Sequence, residues 1–269
     1  MIRSDRWNAV YAEAERELKA RLPELMKGAS HRWGALRWPA DAIPPAGVRP
    51  ENVAYISEDS GEIRHMFMVL TGRTIGPSRI GGAYPFVPHG TAYDVEIKAV
   101  HPGEVGVEGE VTAHYAGHEF RFFEPLWGIK RHRYKPGTVQ RIRFAAFGHA
   151  LAAMNGAEPA KPAEAAPAPA QATGPPMPPA PAIDLPSALV TIGPGATSRY
   201  GVSAPILEWR GFWTGERLYY ALKLRLFEGE GRAFAVDLYA GRHCFTGNFS
   251  PAAGTAVAGV MWLHGTLED

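Results

Sequence analysis

The stretch "HYAGHEFRFFEP", residues 114–125, decides how the middle of this chain folds. Gly117 marks a tight turn between two runs that alternate at period two, and the loop length decides which side chains share a face. A three-residue Tyr-Ala-Gly loop sets His114 opposite His118, whereas an even loop sets His114 opposite Glu119 and Tyr115 opposite His118. Turn chemistry favours the odd loop, since glycine comes last and Ala116 resists a positive φ. The hydrophobic pattern favours the even one, which stacks Ala113 on Phe120 and Val111 on Phe122. The odd register would lay both phenylalanines against Thr112 and Glu110. Burial is worth about 1.5–3 kcal/mol for each phenylalanine, and a one-residue slip loses it for both. The even register is therefore predicted. It puts His114 and His118 on opposite faces, where they cannot share a metal ion, and leaves His114 and Glu119 as a cross-strand polar pair.

The same alternation extends outward in both directions. It predicts strands at 62–71, 91–100, 105–115, 118–124 and 138–147. In the last of these, Ile142, Phe144 and Ala146 share one face while Arg141, Arg143 and Ala145 share the other. Further strands are predicted near 198–210, 217–227, 232–240 and 256–267, with "GRHCFTG" (241–247) as a short helix or a compact loop. Ahead of the first strand, Trp7, Val10, Tyr11, Ala14, Leu18 and Leu22 recur at helical spacing. They predict an amphipathic helix over 4–27, with Ser4 or Asp5 as N-cap and Gly28 past its end.

Between the two sets of strands the composition changes. Residues 155–186 are rich in alanine and hold ten of the chain's 24 prolines, so they lack both backbone donors and apolar bulk. This segment reads as a semi-rigid spacer with a domain on each side. The expected fold is α+β and mostly β. Residues 1–154 form an N-terminal helix with an antiparallel β domain, 155–186 a Pro/Ala-rich linker, and 187–269 a small β-barrel.

About five short strands with one irregular insertion are what a small closed barrel needs. The arrangement resembles an OB-fold. The ending "GVMWLHGTL" (259–267) is similar to the W-L-x-G terminal strand of uncharacterised bacterial two-module proteins. The resemblance covers the last third of the chain and "FFEPLWGIKRHRYKPG" (122–137) in the first domain. It implies a fold and carries no functional residues.

The chain has 269 residues, 46% of them hydrophobic, and a formal net charge of +1, so no global field draws it to nucleic acid or anionic lipid. Its single cysteine, Cys244, allows no internal disulfide and no multi-cysteine metal site. The N-terminus carries recurring charges with no apolar h-region, and no apolar run approaches a membrane span. A cytoplasmic location without membrane contact is expected. The alanine, glycine and proline content points to a GC-rich bacterial source.

One segment has the makings of a binding surface. After Glu124 no acidic residue occurs until Glu158, while Lys130, Arg131, Arg133, Lys135, Arg141 and Arg143 are interleaved with Trp127, His132 and Tyr134. Cations neutralise phosphates and exposed rings stack on bases, which suits a single-stranded nucleic acid. The plainer reading is a solvated loop turning at Lys135-Pro136-Gly137-Thr138, with its aromatics in the core. Trp127 is expected in the core and Tyr134 in solvent beside the turn.

Other candidates are weaker. "TGRTIGPSRIGG" (71–82) lacks the Walker lysine–hydroxyl pair and reads as a flexible loop. Ser203 and Ser250 sit in no G-x-S-x-G setting, and Cys244 beside His243 is a contiguous pair rather than an arranged dyad. Trp209, Phe212, Trp213, Tyr219 and Trp262 are expected mainly in the core or at a barrel rim, a partner patch being the lesser reading. The function these features favour is a non-catalytic two-domain binding or scaffold protein, recognising a protein partner or single-stranded nucleic acid. It needs no cofactor and no metal. The competing class is an enzyme whose site is assembled from distant strands by residues such as His65, Asp94 or His149.

Overall fold

A computed structural model describes residues 4–38, 40, 51–58, 61–72, 79–103, 106–154, 187–191, 198–247 and 249–268. The expected linker, 155–186, and residues 73–78 of the glycine-rich stretch lie outside them. The described chain is mostly β. Helix α1 (Ala14–Gly28) precedes an antiparallel meander of β1 (His31–Arg37), β2 (Asn52–Ser57), β3 (Arg64–Thr71) and β4 (Arg79–Phe86). Then come β5 (Thr91–Pro102), β6 (Gly109–Tyr115), β7 (His118–Glu124), the short helix α2 (Trp127–Lys130) and β8 (Val139–Ala153). After residue 186 follow β9 (Ala188–Thr191), β10 (Arg199–Thr214), β11 (Arg217–Gly229), β12 (Arg232–Gly241) and β13 (Ala256–Leu267). Among the described residues no helix is long and apolar enough to cross a membrane.

The hairpin of β6 and β7 takes the even register: Tyr115 faces His118, His114 faces Glu119, and Ala113 and Val111 face Phe120 and Phe122. The turn is two residues, Ala116 and Gly117, both at positive φ (52° and 79°), as a tight primed turn demands. Ala116 accepts that conformation because Phe120 and Phe122 are buried in exchange. Side-chain burial overrides turn propensity here.

The strands on either side of residues 155–186 repeat one plan. In the first half Thr91 pairs with Phe144, and in the second Tyr200 pairs with Met261. A bulge follows Ile97 in β5, and an equivalent one follows Ile206 in β10. The turn into β8 has Gly137 at φ 80° and Thr138 Oγ1 donating to Lys135 O at 2.6 Å. The turn into β13 has Gly254 at φ 82° and Thr255 Oγ1 donating to Ala252 O at 2.7 Å. Even the 3-10 turns before them match, Arg131–Arg133 in one half and Arg242–Cys244 in the other. Strands β5–β8 and β10–β13 thus share one plan, to which the first half adds α1 and β1–β4.

The two sets are interlocked. β8 pairs antiparallel with its own β5 and, further along, parallel with β12 of the other set. Reciprocally, β13 pairs antiparallel with its own β10 and makes a parallel bridge, His264 to Phe123, with β7. β8 and β13 also pair with each other from Ile142–Leu267 to Ala153–Val257. Two closed rings of strands result, β5-β6-β7-β13-β8 and β10-β11-β12-β8-β13, which share the central pair. In that pair the strands crowd: a Cβ on Gly148 would stand 2.7 Å from Leu238, and one on Gly265 2.5 Å from Phe122. Close approach, rather than a turn, requires glycine at both positions.

The strands of the two expected domains, 1–154 and 187–269, pair with one another across the linker. One core runs through both rings, with Val95, Phe122 and Phe144 from one half against Leu224, Phe234 and Leu263 from the other. The expected helix over 4–27 is shorter. A 3-10 turn at Ser4–Trp7 leads to an irregular stretch before α1. There the carbonyls of Ala9 and Val10 accept from Gly241 N (2.8 Å) and Tyr219 Oη (2.9 Å), so tertiary donors take carbonyls that a helix would otherwise use. Trp7, Tyr11 and Leu18 thereby pack between β3 and β4 of the meander and Tyr219 and Tyr239 of the second half. The other face of the meander, with Tyr55, Met66 and Tyr84, covers Phe123 and Trp262.

Candidate functional site

The basic segment after Glu124 begins at a buried carboxylate. Glu124 is fully enclosed and accepts from Leu126 N (2.9 Å), Leu267 N (3.2 Å) and the Tyr134 hydroxyl. Burial pushes its pKa up in spite of those donors and the nearby Lys130 charge. Tyr134, expected in solvent, is therefore core: a buried carboxylate needs its hydroxyl, and its ring stacks on Trp127. Trp127 is core as expected, seated over Gly109.

Most cations of this segment find acceptors in the fold, Arg141 while its side chain stays exposed. Lys130, expected on the surface, is buried and donates through Nζ to Leu267 O. Arg131 Nη1 reaches Gly106 O at 3.4 Å, and Arg133 Nη2 reaches Glu268 O at 3.2 Å. The Glu268 carboxylate takes the next two: Arg141 Nε at 2.9 Å, and Arg143 Nε and Nη2 at 3.1 and 2.5 Å. These bonds, Arg143's first, hold Glu268 below the usual carboxylate range. Arg141 also pairs with Asp94 at 3.5 Å. Lys135 remains exposed in the turn. The run without acids in the sequence meets its acids in space, from the chain's end and from β5.

Lys130 and Arg143 border a cleft of about 360 Å³ between the meander and the central strand pair. Trp33 and Phe86 form its apolar wall, with ring centroids 5.1 Å apart and nearly perpendicular, and Glu268 lies opposite. The sequence gives no signal for this grouping, because its walls come from residues 33, 86, 143 and 268.

The aromatic residues of the second half divide between two environments. Tyr219 and Trp262 are buried and Phe212 is half-buried, whereas Trp209 is 45% and Trp213 67% exposed. They lie where the β10–β11 hairpin runs past the ring. Trp209 faces Leu222, Gly211 faces Tyr220, and Trp213 faces Leu218, so this face continues the interior row of β11 into solvent. None of these six residues is charged. Arg210, on the opposite face, is occupied by Glu62 at 2.8 Å.

The residues considered for an enzyme are not brought together. His65 Nδ1 lies 2.5 Å from Glu58 Oε1 and its Nε2 2.5 Å from the Tyr11 hydroxyl, beneath the Trp7 ring. Although partial burial lifts it, Glu58 titrates below its usual range because His65 bonds it. The hydroxyl–imidazole–carboxylate chain is in order, yet Tyr11 and His65 are both buried. Asp94 is held by Arg141, and burial lowers His149 to about 4. Cys244 Sγ comes within 3.5 Å of His243 Nε2, but burial pushes the thiol up to about 12, and it donates to Asn8 O. Among the described residues no group of three or more His, Cys, Asp or Glu is placed to hold a metal ion.

No protein-family model, curated protein or solved structure matches this chain.

Proposed function

We propose that this protein is a non-catalytic binding module built on two interlocked OB-like barrels, and that it recognises a protein partner through the β10–β11 hairpin. Each ring of strands closes with its third strand parallel to the exchanged fifth, which is the connectivity of an OB barrel. In such barrels the hairpin between strands one and two is a common place for ligand contacts. The observation that carries the reading is the uncharged face of Trp209, Gly211 and Trp213, exposed beside the half-buried Leu218. Exposed tryptophans beside buried apolar neighbours mark a surface that another macromolecule covers. A single-stranded nucleic acid would need phosphate contacts beside those rings, and the described residues of this face include no cation. The arginines of 131–143 are engaged by Glu268, Asp94 and backbone carbonyls.

The test uses a photo-crosslinking amino acid at position 213, in extract of the source organism, at low and high salt. A crosslinked polypeptide of defined mass, kept at high salt and absent in a Trp209→Ser variant, supports the reading. Binding of a labelled oligonucleotide that fades with salt and is lost on Lys135→Ser, with no crosslinked polypeptide, replaces it with the nucleic-acid reading.

A further inference from the structure

We infer that the cleft between the meander and the central strand pair is a binding site for a small aromatic carboxylate, and that Glu268 occupies its anion position when no ligand is bound. The site is distinct from the β10–β11 hairpin, so the two readings stand or fall separately.

Its volume, about 360 Å³, lies in the range that encloses a small organic ligand. Its two walls differ in chemistry. Trp33 and Phe86 present an edge-to-face aromatic pair at 5.1 Å, with Pro88 beside them, a surface suited to a flat ring. Facing them, the Arg143 guanidinium directs Nε and Nη2 at one carboxylate oxygen of Glu268, at 3.1 and 2.5 Å. Arg143 Nη1 is fixed on Pro88 O at 3.1 Å, so the fork is oriented before any ligand arrives. A planar guanidinium held in this way selects carboxylates. The carboxylate it now holds belongs to the segment just past β13, and that side chain can swing away without disturbing a strand. Among the described lining residues, Lys130 adds a second positive charge against the one carboxylate of Glu268. The cleft therefore prefers an anion once Glu268 has moved.

The test is titration of the full-length protein with 2-naphthoate, followed by calorimetry, with 2-naphthylmethanol as the uncharged control. Naphthoate is expected to bind and the alcohol to bind weakly. Glu268→Gln should tighten naphthoate binding several-fold by removing the internal competitor. Arg143→Gln should weaken it about tenfold or more, the loss of a charge-assisted contact. Glu268→Gln keeps the test decisive if Arg143→Gln folds poorly, since it leaves the guanidinium and both rings in place. The inference is overturned if naphthoate binds neither wild type nor Glu268→Gln. It is equally overturned if acid and alcohol bind alike and neither variant changes the affinity.

Discussion

Arg6 offers a stringent test of how the N-terminal segment is held. Its guanidinium makes two parallel bonds of 2.8 Å to Glu108, and the two side chains are only 10% and 19% exposed. The rings of Tyr84, Phe123 and Trp262 lie 5.9, 5.3 and 5.5 Å from its Cζ, so the charge is enclosed by aromatic faces from three segments of the fold. Burial works against the charged form, but Glu108 outweighs it and holds Arg6 above its ordinary value. Two unit charges about 4 Å apart attract by about 4 kcal/mol at an effective dielectric of about 20, and desolvation of each ion offsets much of that. Removing one partner leaves the other buried and unpaired, which costs about 3–5 kcal/mol. Arg6→Met should therefore lower stability by about 3–5 kcal/mol, and Tm by roughly 10 °C in a protein of this size. Replacing both groups, as Arg6→Met with Glu108→Leu, should restore most of the loss, because no charge is then stranded. Urea unfolding of the wild type, both single variants and the double variant gives the coupling energy directly. A cost below about 1 kcal/mol for Arg6→Met is what an exposed pair would show, and it would refute the reasoning.

Four further outcomes are expected. Tyr134→Phe should destabilise by about 1–3 kcal/mol by stranding an acceptor on Glu124, and Trp127→Ala by about 3–5 kcal/mol; thermal melts that leave either variant unchanged would return that residue to the surface. Because burial raises the folded pKa of Glu124, its protonated form contributes stability at low pH that is lost as pH rises through the folded value. Wild type should thus lose stability relative to Glu124→Gln over the interval above the usual carboxylate range, as urea titrations at several pH values would show. Cleavage at a protease site engineered within residues 155–186 should leave the halves co-eluting as one species, since β8 and β13 hold each other; halves that separate and each stay folded would disprove the shared core.

Much of the local structure was legible in the sequence. Period-two alternation located β5 to β8 and β10 to β13, because each strand buries one face against the same core, though β8 and β10 run on past their predicted ends at 147 and 210. The hairpin register at 114–119 followed from the two phenylalanines alone, since a slip would expose both. β1, β2, β4 and β9 were missed. In β4, "RIGGAYPF", two adjacent glycines and a proline obscure the alternation.

What the sequence could not decide is which strands pair across the chain. Backbone hydrogen bonds are the same for every residue type, so the parallel contacts of β8 with β12 and of β7 with β13 leave no pattern along the chain. The linker composition suggested separate domains because it describes only the connection, whereas the exchange of β8 and β13 is settled by packing between the halves. For the same reason the basic run at 130–143 looked solvated. Its counter-charges, Asp94 and Glu268, lie far off in sequence, and the acid that binds Tyr134, Glu124, ends the strand before the loop. Along the chain, burial periodicity located the strands of the two rings, because that signal is local. Which strand lies beside which, and which charges find partners, depended on three-dimensional proximity and was decided by the tertiary structure.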